Sequence, residues 1–445
     1  MESAQEKTNH VWRLFGFTFA ITASYILCRT VADAVLLSRL GPESLPVMIV
    51  LGAITVGAIS FVWAKRTRKL KLPKVIRITQ LTTAMVTAGL LLLLLMYPQS
   101  STVIGSLYLL AEMRSCLSAI LLALLLNYGG DRNPDKRTFA FVNAGAPLAG
   151  ITLGIFIGAE ATFLSAPGLL LLCCGFDLLA WAMIAGSPIA SKTLMSARKL
   201  RTHSEPTIFV PPVQAQEPEQ RSIAFGKLIL SVVVCKTLVL TLINYEWKVF
   251  AADHFRISEE QLTAYFGIFY AVSDALTLII QLAIAKYFLK HRTMAIGLFV
   301  LPVYLIVMAT ATLLTTNLMA LFWLMTFARG SLVIRRGLYD VIIQVLYGWL
   351  PRKSRRATVA SILGIAKPIT EASTAVGIVA LAAMIPTENL TWLWIPALLI
   401  WSYVLANLIR FWKKLPNTFF PKPNSTPAMI LPVEGSSVSR NDSPT

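Results

Sequence analysis

The chain has 445 residues, of which 56% are hydrophobic and 14% charged. That is more apolar side chain than a soluble core of this size can hide, which excludes a soluble enzyme or nucleic-acid-binding domain. The formal net charge of +18 is no mark of a nucleic-acid partner either, because the Lys and Arg residues gather between apolar runs, as they do where charge orients a membrane protein.

Taken in order, apolar windows lie near residues 11–38, 45–64, 75–97, 102–128, 138–163, 167–190, 222–245, 261–288, 294–315, 318–350, 357–385 and 390–412. Each approaches or exceeds the roughly 20 residues a helix needs to cross a hydrocarbon core of about 30 Å. The expected fold is therefore all-α and integral to the membrane, with twelve transmembrane helices. Basic clusters follow every second window: Lys65, Arg66 and Lys69, then Arg132, Lys136 and Arg137, then Lys192, Arg198 and Lys199, then Lys286, Lys290 and Arg292, then Arg352, Lys353, Arg355 and Arg356. The positive-inside rule makes those loops cytoplasmic and places both termini on the same side, with the plasma (inner) membrane as the expected location. All five cysteines, Cys28, Cys116, Cys173, Cys174 and Cys235, lie in apolar stretches without disulfide or zinc spacing, and read as packing residues.

Residues 191–221 are polar and carry the run Val210-Pro211-Pro212, the composition of a cytoplasmic linker between an N-terminal bundle (1–190) and a C-terminal bundle (222–412). Residues 413–445 lack apolar periodicity and read as a disordered cytoplasmic tail. The halves share an internal echo. Arg137 and Arg356, Gly145 and Gly364, and Arg29 and Lys248 are each 219 residues apart. Two pseudo-symmetric six-helix halves around a long central loop resemble the major-facilitator plan, in which a solute cavity lies between the halves.

A charge at the bilayer centre costs about 2.5 to 3.5 kcal/mol on insertion scales, so ionisable residues within the windows are candidate functional groups. They are Arg29 and Asp33, Glu112 and Arg114, Asp177, Lys236, Asp274, then Arg329, Arg335, Arg336 and Asp340, and finally Lys367 and Glu371. The i,i+4 spacing of Arg29 with Asp33 and of Lys367 with Glu371 suits bridges within a helix as well as it suits a solute site. Arg114, Arg335 and Arg336 have only Glu112 and Asp340 as nearby acids, and a surplus of guanidinium points to an anionic solute, whose oxygens its planar fork fits. Lys248, near a window end, reads as a snorkelling side chain. Pro147 and Pro368 fall in corresponding windows and read as hinges or static kinks.

His10, His203, His254 and His291 all lie in tails or loops, and neither a phosphate-binding Gly-x-x-x-x-Gly-Lys loop nor a Gly-x-Ser-x-Gly elbow occurs. No catalytic residues, metal ligands or cofactor are expected.

The run from Leu107 to Gly150, with Glu112 and the basic turn Lys136-Arg137-Thr138-Phe139, together with Arg29, Asp33 and Trp247-Lys248, resembles the ATP:ADP antiporters, the nucleotide transporters of bacteria and plastids. Ala32 and Ala360 depart from that family's pattern. The resemblance implies a nucleotide-type antiporter with Glu112, Arg29, Asp33, Lys248 and Arg356 in its site. The combined expectation is a monomeric secondary transporter in a lipid bilayer, moving a small anionic solute, possibly a nucleotide. Arg29, Arg114, Arg335, Arg336, Lys248 and Arg356 would bind the solute, and Asp33, Glu112, Asp340, Lys367 and Glu371 would orient the cations or relay charge. A proton-coupled exporter of amphipathic compounds and a non-transporting membrane scaffold or sensor stand as alternatives.

Overall fold

The computed structural model describes residues 4–67, 72–128, 136–160, 164–185, 216–256, 258–283, 294–348, 362–382 and 387–413. Their regular elements are all helical. They are α1 (Ala4–Leu40), α2 (Leu45–Thr67), α3 (Leu72–Met96), α4 (Ser101–Tyr128), α5 (Lys136–Glu160), α6 (Ala166–Ala185), α7 (Gln216–His254), α8 (Glu259–Ala283), α9 (Met294–Leu313), α10 (Leu318–Ile334), α11 (Asp340–Gly348), α12 (Lys367–Ala382) and α13 (Trp394–Lys413). A π-helical turn at Arg335–Tyr339 runs α10 into α11 as one span, and a second at Ile362–Ala366 precedes α12. Among the described residues ten segments are long and apolar enough to cross a membrane, and α5 and the shorter α12 complete the expected twelve.

Burial sorts the helices into inner and outer ones. The apolar stretch of α1 is 83% buried and that of α2 only 28%, because α1 is surrounded by α4, α5, α6 and α8. Both stretches are apolar, so position in the bundle rather than composition tells them apart. Leu51, Ile54 and Phe61 of α2, Leu92 of α3, Leu171 of α6 and Tyr403 of α13 face outward. With lipid as the solvent, such side chains need no protein cover.

Local sequence explains the helix starts. Asn317 caps α10, its side-chain oxygen accepting from the Met319 amide at 2.9 Å. α7 begins at Gln216, inside the segment 191–221 expected to be linker. Pro218 falls in the first turn, where no backbone donor is required. The rest of that linker, the expected tail beyond 413, and Arg356 with its basic loop lie outside the described residues. None of the five cysteines is in a disulfide, and Cys28 and Cys173 are buried in the core.

The halves meet along two seams, α5 against α8 and α2 against α12. The first depends on small residues. A Cβ on Gly154 would lie 2.5 Å from the Gly267 carbonyl oxygen and 2.6 Å from the Ala271 Cβ, and one on Gly150 would overlap the Asp274 carboxylate. Close backbone approach of this kind is how membrane helices gain contact where the hydrophobic effect gives them none. Gly154→Val is expected to wedge the seam and cost about 1–3 kcal/mol, the range for overpacking, read as a lower thermal midpoint of the detergent-purified protein.

Candidate functional site between the two halves

Tyr25, Arg29 and Asp33 recur every four residues and so share one face of α1. Arg29 Nε donates to Asp33 Oδ2 at 3.0 Å, and Arg29 Nη1 meets Glu112 Oε1 of α4 at 2.5 Å. The other Asp33 oxygen accepts from Lys248 Nζ of α7 at 2.7 Å. Asp33 and Lys248 are both wholly buried, and the Tyr108 ring lies 5.4 Å from Arg29 Cζ and 5.4 Å from Lys248 Nζ. Lys248 is therefore no snorkelling side chain: its ammonium turns inward to a carboxylate of the other half. Closer to the ends of α1 and α8, Arg39 forms a forked bridge to Glu259 at 2.8 and 3.2 Å and also donates to the Pro98 carbonyl at 2.7 Å. Two inter-half ion pairs thus tie the bundle at its Arg39 end.

On the far side of these pairs lies a cavity of about 390 Å³. Arg29, Lys236, Arg329, Arg335, Arg336 and Lys367 line it against three carboxylates, Glu112, Asp340 and Glu371. An adjoining lobe of about 330 Å³ shares Tyr25, Arg29, Ser115, Tyr270 and Arg336, and is otherwise walled by Asp274, Gln281 and hydroxyl and apolar groups such as Thr22, Ile26, Ala119, Pro147 and Thr277. Most of the cations are engaged. Lys236 Nζ donates to Asp340 Oδ1 at 2.8 Å, Arg336 Nη1 meets Asp274 Oδ1 at 2.9 Å, and Lys367 approaches Glu371 at 3.7 Å.

Arg335 and Arg329 are different. Arg335 Nε reaches Asp340 only at 3.8 Å and has no hydrogen-bond acceptor, although it is buried. Arg329 has no carboxylate partner among the described residues. Its guanidinium carbon lies 5.2 Å over the Trp247 ring, and its Nε is likewise buried without an acceptor. Trp247 is held by its indole N–H donating to Tyr265 Oη at 2.7 Å, so the platform under Arg329 is fixed. The π-helical turn accounts for the placing of Arg335. A π turn brings residue i+5 over residue i, and the Asp340 amide accordingly donates to the Arg335 carbonyl. The five-residue step from Arg335 to Asp340, wrong for an α-helix, becomes a side-by-side pair.

Of the residues expected from sequence, Arg29, Glu112, Arg335, Arg336, Asp340, Lys367 and Glu371 line the cavity. Asp33 and Lys248 stand behind its wall. Arg114 is elsewhere. It is buried within the N-terminal half, where its guanidinium meets Asp177 of α6, Thr87 of α3 at 2.7 Å and Ser24 of α1 at 2.5 Å. Its acid lies 63 residues away in sequence, beyond the local search that left it unpaired. Lys236, Arg329 and Asp274 join the cavity without having been placed in the site from sequence. Their signal was present, an ionisable group in an apolar window, but nothing along the chain separates a lining charge from a bridging one. No group of residues able to hold a metal occurs among the described residues.

No family model and no curated protein matches the chain. Solved structures do. A peptide transporter POT, in complex with sulfate, superposes with a TM-score of 0.62 at 12% identity, covering 90% of this chain and 94% of that one. The nucleoside transporter NupG gives 0.56 at 13% identity over 92% and 100%. A bacterial homologue of the iron transporter ferroportin, in its inward-facing state, gives 0.58 at 15% over 92% and 99%. The chain has the major-facilitator-type fold. At these identities the likeness speaks for architecture alone.

Removing Arg114 strands the Asp177 carboxylate in the core. Arg114→Ala is expected to cost on the order of 3–5 kcal/mol, as for other broken buried pairs, seen as a lower thermal midpoint. The double change Arg114→Met with Asp177→Leu should recover much of that loss.

Proposed function

We propose that the protein is a secondary transporter that moves a small anionic, phosphorylated solute by alternating access of its two halves. The observation that carries this reading is the pair of cavity-lining arginines, Arg329 and Arg335, whose buried Nε donors have no acceptor. A buried unsatisfied donor is costly, more so when charged. Two of them facing one cavity are what an incoming carboxylate or phosphate would satisfy, through the short charge-assisted bonds that arginine makes. Arg29 and Arg336, lining both lobes, would share the anion, while Asp33, Glu112 and Asp340 hold these cations in place. The second lobe, with its tyrosines, hydroxyls and apolar wall, suits the uncharged body of the solute. A nucleotide, as the resemblance to ATP:ADP antiporters implies, fits that division of the cavity.

If the basic loops are cytoplasmic, the Arg39 end is external, and the conformation is one closed to the outside. The cycle then requires the Asp33–Lys248 and Arg39–Glu259 pairs to part as the opposite end closes. The domain boundaries at 190 and 222 would separate the moving bodies, and the monomer suffices for this motion. A second reading, proton-coupled export of amphipathic compounds, is favoured by the apolar second lobe formed by Ile26, Ala119, Leu122 and Pro147.

Uptake by vesicles containing the purified protein, against a panel of nucleotides, sugar phosphates and amino acids, decides between them. Arg329→Gln and Arg335→Gln are each expected to bring nucleotide uptake to background while the protein stays folded in the membrane. Normal uptake by both variants rejects the anion site, and transport that follows a pH gradient and ignores nucleotides favours the exporter. In a thermal-shift assay, a bound phosphorylated solute at a hundred times its Kd should stabilise the protein by about 2.7 kcal/mol, and the same solute should leave both variants unshifted.

A further inference from the structure

Four acidic residues among those described are buried to nine-tenths or more: Asp33, Asp177, Glu246 and Asp274. Three of them face a cation. Asp33 takes Arg29 and Lys248, Asp177 takes Arg114, and Asp274 takes Arg336. Glu246 of α7 is the exception. It has no exposed surface, and its two oxygens accept only from uncharged donors, Oε1 from the Trp394 indole N–H at 2.7 Å and Oε2 from the Thr391 hydroxyl at 2.8 Å. Both partners are themselves wholly buried, at the start of α13 and in the 3₁₀ turn (Thr387–Leu393) that leads into it.

The charges that reach α7 from its neighbours are engaged with other residues. Asp33 of α1 is on Lys248, Asp340 of α11 is on Lys236, Arg329 of α10 lies over Trp247, and Lys367 of α12 is bridged to Glu371. Glu43, in the 3₁₀ turn (Pro42–Ser44) packed beside α7, is exposed. Residues 246 and 248 are about 200° apart around a helix of 3.6 residues per turn, so Glu246 faces α13 while Lys248 faces the other half.

A dry carboxylate with no cation is unfavourable enough that such a group keeps its proton instead. The geometry accommodates a neutral acid atom by atom. An indole N–H only donates, so Oε1 must be the accepting oxygen, whereas a hydroxyl both donates and accepts, so Oε2 can carry the hydrogen and pass it to Thr391 Oγ1.

We propose that Glu246 is a proton-binding site, holding a neutral carboxylic acid while α7 is seated on α13 and losing its proton when that seat opens to water. Through the same turn of α7, proton occupancy is then linked to the Lys248–Asp33 tie between the halves. This goes beyond the anion reading and does not depend on it, since its test needs no solute. In the infrared spectrum of the purified wild-type protein, a carboxylic-acid C=O stretch is expected that persists near neutral pH, bleaches at alkaline pH, and is missing in Glu246→Gln. Gln offers the same acceptor to Trp394 and an N–H to Thr391, so the variant should fold. The wild-type thermal midpoint should fall as pH rises, because the folded form binds a proton that the unfolded form releases, and the Glu246→Gln midpoint should change less. Absence of the band, or a band that survives in Glu246→Gln, overturns the proposal. If that variant does not fold, isotope-labelled glutamate in the wild-type chain replaces it: a band that shifts with the label supports the site, and one that does not rejects it.

Discussion

Asp33 receives a cation from each half of the molecule, and the arrangement of the centre follows from that. An isolated ion in a low-dielectric interior is expensive, and a bridge compensates only when its geometry is close and its remaining lone pairs are used. Here both carboxylate oxygens are used, one by Arg29 of the same helix and one by Lys248 of the other half. Glu112 then balances Arg29, giving a group of two acids and two bases with no net charge. Arg29 and Lys248 stand 219 residues apart, one in each half, and both converge on one acid. That convergence sets the distance between α1 and α7, and the cavity begins where it ends.

Against this neutral group, the cavity beneath it is conspicuous for what it leaves unbalanced. Six cations face three carboxylates on its wall, and the ones left wanting an acceptor sit on either side of the junction between α10 and the π turn. A regular α-helix would turn Asp340 away from Arg335; the π turn brings them together, yet at a separation too long for a hydrogen bond. The Arg335 Nε is thereby held in place without an acceptor. The same device recurs before α12, where the π turn ends at Ala366 next to the Lys367–Glu371 pair and Pro368. Pro368 could not have donated to the Gly364 carbonyl in any case, so widening the helix there gives up less than it would elsewhere. Backbone irregularity at membrane depth is tolerated where it lines a cavity, a condition the first turn meets through Arg335 and Arg336.

The architecture was legible in the sequence because it rests on long windows and on loop charge, both of which are local. Twelve crossing segments and most of the charges that line the cavity follow from reading along the chain. Pairing was not legible. Arg114 looks like a spare cation until α6 brings Asp177 beside it, and Lys248 looks like an interfacial lysine until α1 is placed against α7. Arg329 and Arg335 differ from Arg114 in no property of the sequence; only the packing shows which have acceptors. Glu246, flanked by Tyr245 and Trp247, is distinguished solely by having a Thr and a Trp where its fellow carboxylates have a base.

Contacts of two unlike kinds join the halves, and their difference suits the alternating-access cycle proposed above. The α5–α8 seam is a close approach of glycines and alanine, whose dispersion contacts fall off steeply with separation but carry no charge and no orientation. The Arg39 end is tied by ion pairs. Such pairs are strong when dry, since the attraction between unit charges rises as the dielectric falls, and weaken several-fold once water enters. Opening at that end therefore lowers the cost of opening further, and closing expels the water that weakens the tie. An interface with that property has two stable arrangements rather than a continuum between them. In the proposed cycle the seam would supply the surface on which the halves tilt, and the buried Asp33–Lys248 pair, between the cavity and the Arg39 end, would be the point at which the two arrangements part.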